Sequence, residues 1–110
     1  WWLLLERDEA GRLWLERRPQ TGIWAGLYCP PVFEERALLE HAAGSNAQLE
    51  DLPVVTHVLT HRDLYLHPVV MYASARKLKV SEADGAGFFA PTEWAELGLP
   101  APVRKLLAKL

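Results

Sequence analysis

The sequence predicts a single α+β domain in which helices flank a mixed or antiparallel sheet. The 110 residues are half hydrophobic and include five Trp, enough for one core that buries about 65% of the unfolded surface. The segments Leu13–Arg18 and Val54–Val70 divide into two faces with a period of two, and the second is rich in β-branched and aromatic residues, as strands are. Residues 33–43 and 102–110 repeat apolar residues at helical spacing instead, which predicts helices.

The N-terminal segment predicts a β-hairpin. Its strands, Trp1–Arg7 and Leu13–Arg18, flank the turn-like segment Asp8–Gly11. The segment Arg17–Pro31 that follows contains too many Gly and Pro residues for a helix. Within it, Trp24 is expected to anchor the core beneath a surface loop.

The first predicted helix spans Phe33–Ala43 and ends at Gly44. Its apolar stripe consists of Leu38, Leu39, Ala42 and Ala43. The polar segment Ser45–Leu52 that follows is predicted to be a loop.

The segment Val54–Val70 predicts a central hairpin with a sharp polar corner at Arg62-Asp63. One face of its first run consists of Val55, His57, Leu59 and His61. After the corner, Leu64 and Leu66 begin a second alternating run. Because loops on a rigid scaffold commonly carry binding residues, the donors at this tip predict a binding loop. The alternative is an ordinary solvated turn.

The C-terminal part predicts two short helices after the hairpin. Before them, Met71–Ala75 is predicted to extend the second strand of the hairpin. Arg76–Ala86 is then predicted to be a charged connection, and Gly87–Ala90 a short strand. Thr92 is expected to cap a helix that stops at Gly98, and Pro102 to open the last helix. The apolar stripe of that last helix consists of Val103, Leu106, Leu107 and Leu110.

Composition and charge exclude several classes of protein. No apolar run reaches the length of a membrane span, and the sequence shows no signal peptide. The single Cys29 cannot form an internal disulfide or a thiolate-only metal or iron–sulfur site. The net charge of −2 means that any DNA contact would come from a local patch. The start at Trp1 without Met is expected for a fragment of a longer protein.

Histidine spacing does not predict a metal site. His57 and His61 are four residues apart, which on a strand separates them by roughly 13 Å. His67 could approach His57 across the hairpin, but two ligands without a carboxylate make a weak site. No Ser-His-Asp or Cys-His arrangement is suggested by position either. We therefore expect neither a metal ligand nor a catalytic residue in this chain.

Three segments resemble the C-terminal domain of adenine DNA glycosylases of the bacterial MutY family. They are LERRPQTGIWAGLYCPP at Leu15–Pro31, THVLTHRDLYLHP at Thr56–Pro68 and LGLPAPVRKLL at Leu97–Leu107. The resemblance implies a Nudix-like fold over residues 1–110. It also implies a cytoplasmic bacterial protein, with no membrane partner, whose DNA partner is a duplex containing A·8-oxoguanine mispairs. The N-terminal catalytic domain of the same protein would be the second partner, and it would carry the iron–sulfur cluster and the catalytic carboxylate.

Nudix hydrolases carry the motif Gly-x5-Glu-x7-Arg-Glu-x2-Glu-Glu, whose carboxylates hold Mg²⁺. Counting from Gly26 places Val32 at the first Glu and Gly44-Ser45 at the metal-binding pair. Counting from Gly22 recovers only one carboxylate, Glu40, together with Arg36. In that register the other acidic positions are occupied by Tyr28, Ala37 and His41. Neither register assembles the acidic cluster, so nucleotide hydrolysis is not expected. The remaining carboxylates, Glu34, Glu35 and Glu40, are expected to be charges on the helix surface.

The hairpin tip carries the lesion contacts that the resemblance implies. A Phe-Ser-His tip approaches 8-oxoguanine in the family, and the matching residues here are Leu59, Thr60 and His61. The Thr60 hydroxyl can accept a hydrogen bond from N7–H of 8-oxoguanine, where guanine has an acceptor. Leu59 keeps the bulk but removes a stacking face, so it is expected to pack. His61 would donate to phosphate or brace the loop, and Arg62 would contact phosphate.

The sequence therefore predicts an 8-oxoguanine-recognition domain, with adenine flipped from the duplex into a separate catalytic domain. Two alternatives remain open at this stage. One is a free-standing Nudix hydrolase, and the other is a module that only stabilises the catalytic domain. The roles of Arg17 and Arg18 are also open, because an Arg beside a Gly-rich loop can either contact phosphate or cap backbone carbonyls.

Overall fold

The structure is a computed structural model that describes residues 1–45, 47–72 and 86–110. These residues form eight strands and three helices: β1 (Trp2–Arg7), β2 (Leu13–Arg17), β3 (Tyr28–Cys29), β4 (Val32–Phe33), α1 (Arg36–Ala43), β5 (Leu49–Asp51), β6 (Val55–Val58), β7 (Asp63–Tyr72), β8 (Gly87–Phe89), α2 (Pro91–Trp94) and α3 (Ala101–Leu107). The α+β prediction is confirmed. The predicted strand extension at 73–75 and the connection at 76–85 lie outside the described residues. None of the helices in the described ranges is long and apolar enough to cross a membrane.

The sheet is mixed because its two central strands run parallel. Its order is β3-β2-β1-β7-β5, while β4 pairs with β1, β6 with β7 and β8 with β2. Strands β1 and β7 are parallel from Trp2 opposite His67 to Arg7 opposite Tyr72, and the other pairs are antiparallel. The backbone nitrogen of Trp1 donates to the Tyr65 carbonyl at 2.8 Å, which continues this pairing. The first residues of the chain therefore lie against the central hairpin.

Two apolar cores lie on opposite faces of the sheet, because successive residues of a strand point to opposite sides. The larger core contains Leu3, Leu5, Leu13, Leu15, Cys29, Leu64, Leu66, Val70, Leu99, Val103, Leu106 and Leu107. The smaller core contains Leu4, Leu39, Ala43, Val69 and Met71. Each fully buried aliphatic side chain of this kind stabilises the fold by about 1.5–3 kcal/mol. Helix α3 covers the first face and helix α1 covers the second.

The predicted N-terminal hairpin is confirmed, and Asp8 closes its turn. The Asp8 carboxylate accepts from the backbone N–H groups of Ala10 and Arg12, and from the Arg12 guanidinium at 2.6 Å. Desolvation alone would raise the Asp8 pKa, but these hydrogen bonds outweigh it and leave the pKa below its usual value. This turn lies at the end of the sheet away from the central hairpin tip, because Arg7 pairs with Tyr72.

Helix α1 is shorter than the sequence predicted, and its buried face is narrower. It begins at Arg36, because Phe33 is extended in β4 and pairs with Trp2. Leu39 is fully buried, whereas Leu38 remains 52% exposed. Ala42 is also exposed. An eight-residue helix buries one narrow stripe, here Leu39 and Ala43, so placing Leu38 and Ala42 in that stripe was wrong.

Two further predictions about the connections were wrong. The segment predicted as a loop contains β5, Leu49–Asp51, which pairs with β7 at an edge of the sheet. Thr92 does not cap α2, which begins after Ala90 and spans Pro91–Trp94, so the helix also ends before the predicted stop at Gly98. At its N-terminus the Glu93 carboxylate accepts from the Ala90 N–H at 2.7 Å instead.

The last helix follows its prediction closely. Helix α3 spans Ala101–Leu107, with Pro102 in its first turn. The buried residues of this helix are Pro102, Val103, Leu106 and Leu107. The apolar spacing therefore identified the face that packs on the larger core.

Candidate nucleic-acid interface

The tip of the central hairpin is a two-residue loop, Thr60-His61. The Leu59 N–H donates to the Arg62 carbonyl at 2.8 Å and closes the turn. Asp63 is already the first residue of β7 and lies opposite Val58. The predicted corner at Arg62-Asp63 was therefore misplaced by two residues, because both of these residues already pair with residues of the first run of the hairpin.

The four predicted contact residues are together at this tip, but they are not equally exposed. Thr60, His61 and Arg62 are exposed, whereas Leu59 is half-buried and packs against the larger core. Leu59 therefore packs as expected and joins the tip to the core. The other three side chains extend into solvent, where a duplex can reach them.

The histidines of the hairpin lie on opposite faces of the sheet. His57 is paired with Leu64, a residue of the larger core, and directly opposed residues of an antiparallel pair share a face. His67 stacks on Trp2 on the other face, with ring centroids 4.4 Å apart and an interplanar angle of 12°. The two imidazoles therefore cannot share a metal ion across the hairpin.

A row of rings connects the Gly-rich loop to the hairpin. The Arg18 guanidinium lies 5.1 Å from the ring centroid of Trp1, in cation–π range. The Trp1 ring meets Trp24 edge-on, with centroids 5.6 Å apart and an interplanar angle of 79°. The Trp24 ring centroid lies 6.3 Å from that of His57 on β6. The sequence did not predict this row, although Gly22 and Gly26 on either side of Trp24 mark an unusual backbone there.

The two arginines of the Gly-rich loop have different environments. Arg17 is exposed, and its Nε donates to the Gly26 carbonyl at 3.3 Å. Capping of a backbone carbonyl, one of the two roles left open, is therefore present for Arg17. The Nε atom of Arg18 is buried and has no hydrogen-bond acceptor within the described ranges. Its guanidinium is held by the Trp1 ring, so Arg18 belongs to the scaffold behind the tip.

The carboxylates in α1 and just before it do not form a cluster. The Arg36 guanidinium donates to Glu40 at 2.8 Å and to Asp51 of β5 at 2.7 Å. The hydrogen bond that Arg36 donates to Asp51, followed by the one that it donates to Glu40, raises the Arg36 pKa. Glu34 and Glu35 are exposed ahead of the helix rather than on it. Across the ranges that the structure covers, no three His, Cys, Asp or Glu residues are grouped to hold a metal ion.

Cys29 lies in the larger core, 1% exposed. Burial raises the pKa of its thiol to about 12, with smaller opposing effects of Arg18 and Glu16. A thiol that is protonated and buried is neither a nucleophile nor a metal ligand.

Comparison with known proteins supports both the fold and the resemblance. A model of the NUDIX domain matches residues 1–109. An adenine DNA glycosylase from Buchnera aphidicola subsp. Baizongia pistaciae (strain Bp) is 27% identical over 120 residues, an alignment that covers 100% of this chain. The match lies in the C-terminal part of that glycosylase and covers 32% of it, so this chain spans about a third of the relative's length.

A solved structure confirms the predicted Nudix-like fold. The Nudix hydrolase RenU from M. smegmatis superposes with a TM-score of 0.61, covering 98% of this chain and 81% of that chain. The two sequences are 16% identical, so the similarity supports the fold alone. Because the family model extends over all but the last residue, the chain belongs to the NUDIX domain family.

Proposed function

We propose that this chain is the C-terminal, 8-oxoguanine-recognition domain of an adenine DNA glycosylase. It would direct the excision of adenine mispaired with 8-oxoguanine during base excision repair. The observation that carries this proposal is the match to a glycosylase along the entire chain. The exposed polar side chains of the hairpin tip are the residues on which we place the recognition.

Thr60 is the residue that would distinguish the oxidised base. 8-Oxoguanine carries a proton on N7, so a hydroxyl can accept from it, whereas guanine presents a lone pair at the same place. The tight turn and the half-buried anchor Leu59 fix the backbone at Thr60. On this turn the hydroxyl can accept from N7–H without rearrangement of the backbone, whereas with guanine it would have to turn its own proton toward the N7 lone pair.

His61 and Arg62 would contact the phosphates beside the lesion. Both are exposed at the turn, and phosphate contacts position a protein on the duplex without carrying sequence information. Leu59 is held against the core and has no aromatic ring, so stacking on the lesion is not part of the proposal.

Excision itself would take place in the separate catalytic domain. Neither register fills all the acidic positions of the Nudix motif, and the one carboxylate that the Gly22 register recovers, Glu40, is neutralised by Arg36. The iron–sulfur cluster would also belong to that other domain, since this chain has one Cys and its thiol is buried. Joining the two domains on one polypeptide would raise the affinity for DNA through effective concentration, with no new contact needed.

The test is Thr60→Val in the full-length glycosylase, with Thr60→Ser as the matched control. Valine keeps the shape of threonine and removes the hydroxyl, while serine keeps the hydroxyl. Loss of one hydrogen bond costs roughly 0.5–1.5 kcal/mol, so the preference for A·8-oxoguanine over A·G should fall about two- to tenfold. Thr60→Ser should retain the preference. If Thr60→Val weakens binding to both duplexes alike, or leaves the preference unchanged, the hydroxyl does not recognise the lesion.

A further inference from the structure

Trp24 has an unusual backbone conformation that the surrounding loop maintains. Its φ is 60°, and it is the one non-glycine residue with positive φ within the described ranges. This conformation is disfavoured for bulky side chains and tends to persist at functional positions. Three backbone hydrogen bonds close the loop around it: Gly26 N–H to the Pro19 carbonyl (2.9 Å), Arg18 N–H to that of Leu27 (2.7 Å) and Leu27 N–H to that of Trp24 (3.1 Å).

The conformation places the Trp24 ring between the first residue of the chain and the hairpin. On one side the ring meets Trp1, which lies under the Arg18 guanidinium. On the other side it approaches His57 of β6, with an interplanar angle of 45°. Trp24 is half-buried and packs on the larger core, to which Leu59 also belongs.

Strand β6 has little other support near the tip. It has four residues and pairs with β7, and with no other strand in the part of the chain that the structure describes. His57 lies two residues before Leu59 and on the same face of β6 as Leu59. The hydrogen bond from the Leu59 N–H to the Arg62 carbonyl closes the turn that presents Thr60. Displacement of the His57 side of β6 would therefore be transmitted directly to the tip.

We propose that Trp24 is a positioning residue for lesion recognition, and that its ring fixes β6 so that Thr60 and His61 keep one orientation. This inference rests on the proposed function of the tip and adds a residue that determines its specificity. The Gly-rich loop would hold Trp24 in its disfavoured conformation because the ring is needed at this place. Trp24 itself would not touch the DNA base.

The experiment compares Trp24→Asn with Trp94→Asn in the full-length protein. Asn tolerates positive φ, so the first variant removes the ring while keeping the loop conformation. Trp94 is a matched control, because it is also half-buried and packs on the larger core. It differs in its neighbours: its indole donates to the Phe89 carbonyl at 2.9 Å, at the junction of β8 and α2. Trp24→Phe keeps a flat ring and should rescue function.

Two quantities are measured for each variant. The first is the preference for A·8-oxoguanine over A·G. If the fraction of molecules whose tip has the binding-competent orientation falls from nearly one to about a third, the preference falls about threefold. The second is hydrogen exchange of the Leu59 amide, which closes the turn, relative to the Leu4 amide, which donates to the Pro31 carbonyl in the centre of the fold.

Trp24→Asn should lower the preference and accelerate exchange at Leu59 more than at Leu4, whereas Trp94→Asn should do neither. Equal acceleration at both amides, or a preference that Trp94→Asn lowers equally, would show general destabilisation and overturn the proposal. If Thr60→Val lowers the preference and Trp24→Asn does not, the positioning role is wrong and the proposed function stands. If neither variant changes the preference, the proposed function fails. In that case the exchange at Leu59 alone decides whether Trp24 positions the tip.

Discussion

Substitution of Arg62 by Ala should weaken binding to DNA through the loss of one phosphate contact. The Arg62 side chain is exposed, and its carbonyl, which closes the turn, is unaffected by the substitution. Each neutralised phosphate contributes about −0.9 to the slope of log affinity against log salt concentration. If the protein neutralises about three phosphates, the slope is about −2.7, and Arg62→Ala should reduce it to about −1.8.

Fluorescence anisotropy of a labelled duplex between 50 and 200 mM salt measures this difference. Over that fourfold range, a slope of −2.7 weakens binding about 40-fold, and a slope of −1.8 about 12-fold. Arg62→Ala should affect A·8-oxoguanine and A·G duplexes nearly equally, because a phosphate contact carries no base information. Arg12→Ala is the control, since Arg12 pairs with Asp8 at the far end of the sheet, roughly 30 Å along β7 from the tip. Tight binding with a slope near zero, or an equal effect of Arg12→Ala, would refute this electrostatic account.

Three further predictions concern the rest of the chain. Incubation with oxidised dGTP and Mg²⁺, or with an A·8-oxoguanine duplex, should leave both substrates intact, and turnover above a heat-killed control would contradict the proposed division of labour. Cys29 should react with iodoacetamide at pH 8 about a thousandfold more slowly in the native than in the unfolded protein, because its pKa rises from 9.0 to about 12; equal rates would show that the thiol is accessible. In urea unfolding, Leu39→Ala should lower the free energy of unfolding by about 2–5 kcal/mol, whereas Leu38→Ala should change it by no more than about 0.5 kcal/mol. Similar losses for the two variants would mean that α1 buries a different face.

The parts of the fold that the sequence predicted are those in which one face is buried along several consecutive residues. The alternation from Val55 to Leu66 identified the central hairpin, because burial of Leu64 and Leu66 selects one face. The position of the turn was not predicted, since Leu59 continues the same pattern into the tip. Strand β5 escaped prediction because it is a short edge strand with exposed polar residues, and within the described ranges it pairs with β7 alone.

The sequence predicted the residues of the site that are neighbours in the chain, but not the contacts between residues that are far apart in the chain. Residues 59–62 are contiguous, so a single motif contained them. The row behind them joins Arg18, Trp1, Trp24 and His57, and neither periodicity nor spacing specifies contacts between residues so far apart in the chain. The parallel pairing of β1 with β7 brings Trp1 to the hairpin, and the backbone angle of Trp24 completes the arrangement.

Titration of the ¹⁵N-labelled protein with two duplexes tests the central claim most directly. The duplexes are identical except that one contains A·8-oxoguanine and the other A·G, and NMR detects the weak binding expected of a slightly acidic domain. Amide shifts that differ between the two duplexes should be confined to Thr60, His61 and Arg62, while shifts common to both extend along the phosphate-contacting surface. Identical shifts with both duplexes, or lesion-dependent shifts centred on α1 and β5, would contradict recognition of the lesion by the hairpin tip.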